Sequence, residues 1–459
     1  MAVKTIFPIT RIHEPLRVDV DIQGGQVVDA WVGSYLFRGF EAMLKNRDPR
    51  DTLLFVQRIC GICSCAHSVA NALAQQQAFG VKPTPTGQHL TNLIYAADII
   101  QNHLRHFYSL VIFDYVKGPA LPPYTPRPEK VFRLPPKVND ELFSHIKEGG
   151  KMAARAHEML AVFGAKAPHQ QTIMATGVTE QASAERLLTY SSILQDITQW
   201  VEKVLLADVQ TIAEYYRDYF SIGAGYGNFL SYGMFPAPVT GVRTFKPGLI
   251  INRGKVEEPD INEITEDIRH SWYQDDQVSR HPADGKTEPN PGKPEAYTWV
   301  KAPRYKGLPF EGGPLARGYI NGDYRQGISV MDRIMARAHE TLKICRLAAG
   351  WLKEVVPGSP ANQPYTVPPA GVGVGLTDAM RGGLGHWMSY KNGGIDHFQV
   401  VTPTTWNFSP RDEKGVRGPV EQALIGTPAE DDHLTEVGRV VRSFDPCFTC
   451  AVHVMDYSR

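Results

Sequence analysis

Two short stretches hold most of this chain's capacity for soft-metal chemistry. Residues 58–67 read RICGICSCAH and residues 445–453 read DPCFTCAVH, so Cys60/Cys63 and Cys447/Cys450 form Cys-x-x-Cys pairs, followed by His67 and His453. The turn inside such a pair brings both sulfurs to one side. Thiolates select zinc, copper(I), iron–sulfur clusters or thiolate-bound iron and nickel. Two distant pairs suffice for a tetrahedral site, and by spacing alone a structural zinc or a cluster stands level with a less common metal. The flanks separate these options. Arg58 and Gly61 at the first pair, with Asp445 and Pro446 at the second, exceed what structural zinc needs. Charged groups and hydrogen-bond donors beside sulfur serve a buried site whose charge changes.

Positioning two motifs almost the full chain length apart requires a large fold that closes on itself. At 459 residues, with 42% apolar and 21% charged residues, the chain can bury a sizeable core. Residues 16–22, LRVDVDI, alternate apolar and polar, and Gly24-Gly25 then precede QVVDAWV, which reads as a hairpin. Helical periodicity follows over 67–79, 89–113, 140–163 (interrupted by Gly149 and Gly150), 183–220 and 329–356. The expected fold is helix-rich α+β: a central bundle of long helices with small peripheral sheets, its terminal cysteine motifs meeting at a buried metal site. One domain spans 1–459, with a hairpin region over about 1–50 and a helical core over about 64–220 and 327–356. Residues 221–326 and 357–459 are expected to be loop- and strand-rich.

Composition excludes several functions. Lys plus Arg equals Asp plus Glu at 48 each, so no global field recruits nucleic acid or a membrane surface. No apolar run approaches the roughly eighteen residues of a membrane span. The N-terminus lacks the layout of a signal peptide, so export would depend on another chain. The remaining cysteines, Cys65 and Cys345, cannot hold a conventional iron–sulfur cluster; Cys345 reads as helix core.

The paired signature R-x-C-G-x-C-x-x-x-H and D-P-C-x-x-C-x-x-H resembles the large subunit of uptake-type nickel–iron hydrogenases. LFRGFE (36–41), RDPRD (47–51), NHLRHFY (102–108), KAPRYKGLPFEGGPLAR (301–317), RGGLGHW (381–387) and VTPTTWNFSPRD (401–412) follow in the expected order. The resemblance implies reversible cleavage of H2 into two protons and two electrons. It makes Cys60 and Cys447 terminal nickel ligands, while Cys63 and Cys450 bridge nickel to an iron that carries CO and two cyanides. It also implies a magnesium ion held by Glu41, the Val400 carbonyl and His453; taken alone, Glu41 reads as a surface carboxylate at a helix start. Arg381 matches the guanidinium suspended over the metals, with Asp445 as its partner. His67 is expected to hydrogen-bond Cys450, although a histidine opening a helix is more often simply a satisfied polar residue. Arg58, Thr404 and Thr405 match the pocket around the diatomic ligands, shaped by Pro403. Lys301 and Glu311 match outer charges near magnesium, or else a surface ion pair.

The chain departs from the family pattern in four places. TRIHEP (10–15) replaces the common T-R-I-E-G-H, which puts His13 where the proton-passing glutamate stands and Glu14 one residue later. Either can carry protons, the imidazole because it titrates near neutrality and the carboxyl once burial raises it. Asn102 stands where many members have aspartate, and Met380 where many have proline. Only VMDYSR follows His453, short for the tail that a maturation endopeptidase removes after nickel-insertion proteins have acted.

The implied partner is a small subunit that carries the iron–sulfur clusters, in a heterodimer or a dimer of heterodimers. A membrane cytochrome b or another acceptor would take the electrons. The implied location is the periplasmic side of the cytoplasmic membrane. A hydrogen sensor, which would be cytoplasmic, shares the metal site and differs in its signalling output. A four-cysteine zinc interaction protein and a relative of the quinone-binding subunit of respiratory complex I are the remaining readings.

Overall fold

The computed structural model describes residues 2–122, 124–125, 129–274, 279–431 and 433–451, without the side chains of residues 2, 450 and 451. The hairpin pairs Arg17–Gln23 with Gln26–Gly33 through Gly24 and Gly25, whose φ of +58° and +77° are the left-handed values a two-residue turn demands. Val18 and Val20 alternate into the core, and Ala2–Ile6 adds a third antiparallel strand.

The centre is helical. Ser64–Phe79 leaves the first cysteine motif, and Pro85–Arg105 starts where Thr84 accepts from the Gly87 amide with Pro85 in the first turn. Pro85–Arg105 continues as a π-helical turn, His106–Val111. Around it lie Pro136–Gly164, Ala184–Trp200, Leu206–Tyr215 and Val330–Glu354. Val330–Glu354 opens on a capping box between Ser329 and Asp332. The break expected at Gly149-Gly150 does not occur. Gly149 is a packing residue: a Cβ there would lie 2.3 Å from the Tyr108 ring.

The glycine-rich part of 357–459 forms the largest sheet, an antiparallel meander of Ala370–Ala379, Gly382–Lys391 and Gly394–Val401. Its first strand lies directly on Ser64–Phe79. Cβ atoms at Gly371, Gly373 and Gly375 would fall 2.4, 2.0 and 1.8 Å from the carbonyl oxygens of Ala78, Ala74 and Ala70. Two strand residues rise about as far as one helical turn, so alternate glycines meet successive turns. This docking fixes Arg381, in the turn between the first two strands, against the helix that carries Cys63 at its N-cap. One buried cluster draws side chains from Ile9 to Phe448, so chain start and chain end share a core.

Candidate metal centre

The cysteine loops are built by backbone hydrogen bonds to sulfur and by cross-links between the two chain ends. A short 3-10 turn, Gln57–Ile59, delivers Cys60 in extended conformation. Its Sγ accepts from the amides of Ile62 at 3.3 Å and Cys63 at 3.4 Å. At the other end Asp445 adopts a left-handed φ of +56°, and Cys447 then pairs in parallel with His13. The Phe448 amide donates to the His13 carbonyl at 3.2 Å, and the Cys447 amide donates to Thr404 Oγ1 at 3.1 Å. Arg38 donates to the carbonyls of both Ile59 and Thr449, one from each loop.

The result is a convergence of sulfur. Cys60 Sγ and Cys447 Sγ lie 3.1 Å apart, and with Cys63 their sulfurs all fall within 4.8 Å of one another, every residue buried. The side chain of Cys450, and the whole of His453, lie outside the described residues. Buried soft donors this close, with cations beside them, fit nickel and iron held as thiolates.

Arg381 faces this cluster from full burial. It donates from Nε to the Asp445 carbonyl at 2.6 Å and from Nη2 to Asn102 Oδ1 at 2.8 Å and Asp445 Oδ1 at 3.1 Å. Nη1 has no hydrogen-bond partner among the described residues. Burial alone would lower its pKa, but Asp445 and then the three cysteines outweigh that and keep it charged. Burial would raise the Asp445 carboxyl; Arg381 and other cationic neighbours hold it well below the usual range. Asn102 donates to Asp445 Oδ2 at 2.9 Å, so an amide spans the ion pair at the site of the family's common aspartate. Arg337, which sequence reasoning missed, donates to the same oxygen at 3.2 Å and to His103 Nδ1 at 3.1 Å; His103 Nε2 in turn meets Glu340 at 2.9 Å.

His13 and Glu14 both reach the centre, in different states. Burial first, then Arg381, lowers the His13 pKa to about 4, so the ring is neutral at pH 7. Glu14 Oε2 accepts from the Thr449 amide at 2.6 Å, inside the second cysteine loop. Burial raises its pKa and the Thr449 hydrogen bonds oppose the rise. His67 is buried, with Nδ1 3.1 Å from His386 Nε2 and Nε2 lacking a partner among the described residues. Thr405 is buried beside Thr402, and Pro403 opens the short helix Pro403–Asn407.

One expectation is corrected. Arg58 is exposed, and its carbonyl accepts from Arg38, which is the guanidinium that reaches the cysteine loops. An arginine on the outer side of the 3-10 turn keeps its hydration, which burial in the pocket would remove. Glu311 is engaged bidentately by Arg333 at 2.7 and 2.9 Å, and among the described residues no hydrogen bond joins it to Glu41.

A second buried cluster centres on Glu41, in the short helix Phe40–Met43. Its Oε1 accepts from the Val400 amide at 3.0 Å and its Oε2 from the Thr287 hydroxyl. An extended residue presents its N–H and C=O on one edge, so the Val400 carbonyl faces the Glu41 side. Lys301 lies 3.7 Å from Glu266, which also accepts from Gln399 at 2.8 Å. Burial pushes the Glu266 carboxyl up to about 7; Lys301 pulls it down and Glu41 raises it. Glu266 Oε1 is buried without a partner among the described residues. Two carboxylates, one of them with an unsatisfied oxygen, and a carbonyl fit a hard cation such as magnesium.

The sequence profile of a family described as nickel-dependent hydrogenase matches residues 38–128 and 118–453. The periplasmic [NiFeSe] hydrogenase large subunit of Desulfomicrobium baculatum is 38% identical, over 98% of this chain and 95% of that protein. The hydrogenase-2 large chain of Escherichia coli is 30% identical, over 98% and 97%. The solved [NiFeSe] hydrogenase of Desulfovibrio vulgaris Hildenborough superposes with a TM-score of 0.95 at 38% identity, covering 98% of this chain and 100% of that one.

Proposed function

This chain belongs to the nickel-dependent hydrogenases, as a catalytic large subunit that oxidises H2, and we propose a role for each of its site residues from that premise. The observation that carries the assignment is the meeting of Cys60, Cys63 and Cys447 in one buried cluster. Cys450 completes the set. Cys60 and Cys447 would hold nickel as thiolates, and Cys63 and Cys450 would serve nickel and an iron that carries CO and cyanide. When bound, the two metals polarise H2 and take up its electrons.

The protein's own groups handle charge and protons. Arg381 keeps Nη1 without a partner among the described residues, and its charge acts on Cys447, Cys63 and Cys60, so it stabilises negative charge that develops beside the sulfurs; Asp445 and Asn102 fix its plane. Glu14 receives a proton from the second cysteine loop, because its carboxylate is fastened to the Thr449 amide there and burial raises its pKa, whereas burial and Arg381 lower the His13 pKa to about 4. His67 and Thr404 orient sulfur, one through its free ring nitrogen and the other through the Cys447 amide. Glu41, the Val400 carbonyl and His453 would hold magnesium, with Lys301 as a balancing charge.

As a large subunit the chain works with a small subunit. Cys65 and Cys345 cannot hold a cluster, so electrons leave through iron–sulfur centres in that partner and pass to a membrane cytochrome b or another acceptor. The name of the Desulfomicrobium baculatum relative supports a periplasmic location. No described helix is long and apolar enough to cross a membrane. Metal analysis with infrared spectroscopy tests the reading. One nickel per large subunit, with iron in excess of it from the partner's clusters and bands of bound CO and cyanide, is expected; zinc without such bands would overturn it.

A further inference from the structure

The helix Pro85–Arg105 carries a polar stripe through an apolar bundle. Tyr95, Asp98, Asn102 and Arg105 succeed one another at helical spacing and share one face. Three of them are accounted for. Tyr95 donates to the Asp378 carbonyl, Asn102 joins Arg381 to Asp445, and Arg105 Nη2 donates to Asn102 Oδ1 at 3.4 Å. Asp98 is 0% exposed, and neither of its carboxylate oxygens has a hydrogen-bond partner of ordinary geometry among the described residues. A buried carboxylate left in this state is costly, so it must either hold a proton or be met by water.

Its surroundings tie it to the metal centre. Cys60 and Cys65 act on it from the first cysteine motif, Arg381 from the sheet, Arg105 from its own helix and the Ala66 amide from the helix Ser64–Phe79. Burial is the largest influence, and with Cys60 it pushes the carboxyl up to about 8 against the pull of Arg105 and Arg381. Further unsatisfied polar atoms follow on this helix and on its neighbour. Gln101 Oε1, Arg105 Nε and His157 Nε2 are buried without partners among the described residues, and the Arg105 charge acts on both Asp98 and His157. His157 is half-buried on Pro136–Gly164, which packs along Pro85–Arg105. Internal waters satisfy strings of this kind.

We propose that Asp98 is a second proton-relay residue: its carboxylate accepts a proton released at the cysteine cluster and returns it, through water held by Gln101 and Arg105, to His157 and solvent. The proposal rests on the hydrogenase reading above. Each H2 yields two protons and two electrons; one O–H bond forms and then breaks at Asp98, whose oxidation state does not change, while the electrons leave through the partner subunit. This exit is separate from Glu14, which is fastened to the other cysteine loop.

The test uses the two-subunit holoenzyme with Asp98→Asn and Asp98→Glu. A carboxylic acid C=O band that shifts in D2O and titrates near pH 8 is expected in infrared spectra of the wild type, absent in D98N and displaced in D98E. Exchange of D2 with solvent protons should fall roughly tenfold or more in D98N and lose its dependence near pH 8, with D98E restoring both. An unchanged exchange profile in D98N overturns the proposal. If D98N fails to retain its metals, a band that stays put in D98E overturns it. The carboxyl band is read without turnover: a missing band removes the Asp98 relay alone, whereas missing CO and cyanide bands remove the hydrogenase reading and the relay together.

Discussion

The sulfur cluster and the carboxylate cluster around Glu41 are both buried, yet they are assembled in opposite ways. The sulfurs come as pairs on two tight loops, each loop braced by its own amide-to-sulfur or amide-to-oxygen bonds and both gripped by Arg38. The carboxylates arrive singly, Glu41 on a short helix and Glu266 on the strand Ile264–Asp267. Charge balance differs as well. Arg381 and Asp445 are matched to each other beside the sulfurs, whereas Lys301 pairs with Glu266 at 3.7 Å and Glu41 acts on Glu266 as a second carboxylate. The first site keeps its charges at neutral pH without help; the second leaves Glu266 near 7 until a cation arrives. Paired ligands make a site that survives as a scaffold, and single ligands make one that depends on its ion.

Substitutions break this comparison in a graded order. Cys447→Ser removes a soft donor and should abolish activity and weaken nickel binding until the metal is held only under excess nickel, measured by metal content and H2 oxidation. Arg381→Lys should keep both metals and lower kcat by about 10²–10³, because a point charge cannot replace a guanidinium held by Asp445 and Asn102; normal turnover would remove Arg381 from the mechanism. Glu14→Gln should slow exchange of D2 with solvent by about 10² and His13→Gln by less than about tenfold, because Glu14 is fastened to the second cysteine loop with its pKa raised by burial while the His13 pKa is lowered to about 4; the reverse order would assign the route to His13. The smallest effect belongs to the carboxylate cluster. Glu266 has a folded-state pKa raised above its unfolded value, so in chelator-treated protein the fold loses stability as pH climbs from about 4.5 to about 7. Glu266→Gln should flatten that loss by on the order of 2 kcal/mol in denaturant titrations. Added magnesium should close the gap between variant and wild type, and a gap indifferent to the ion would deny the site its cation.

The same contrast governs what the sequence discloses. Cysteine pairs are legible because spacing alone forces two sulfurs together, and the long helices because apolar periodicity survives in one dimension. Glu266, Arg38 and Arg337 carry no local signature; each gains its role from a neighbour far along the chain. The strand Ala370–Ala379 was obscured by the glycines that let it lie on the helix Ser64–Phe79, since glycine weakens a strand pattern even where close approach requires it. Gly149 misled in the other direction, reading as a helix break where it makes room for Tyr108. Asp98 was hidden in a buried helix, and what singles it out is full burial without a side-chain partner among the described residues.

The central claim is that both chain ends supply sulfur to one nickel. X-ray absorption at the nickel edge tests it most directly, on the holoenzyme and on Cys60→Ser and Cys447→Ser variants reconstituted with nickel. The account predicts a sulfur-dominated nickel shell in the wild type that loses sulfur whichever end is altered. A shell dominated by nitrogen and oxygen, or one that responds to only one end of the chain, would contradict it.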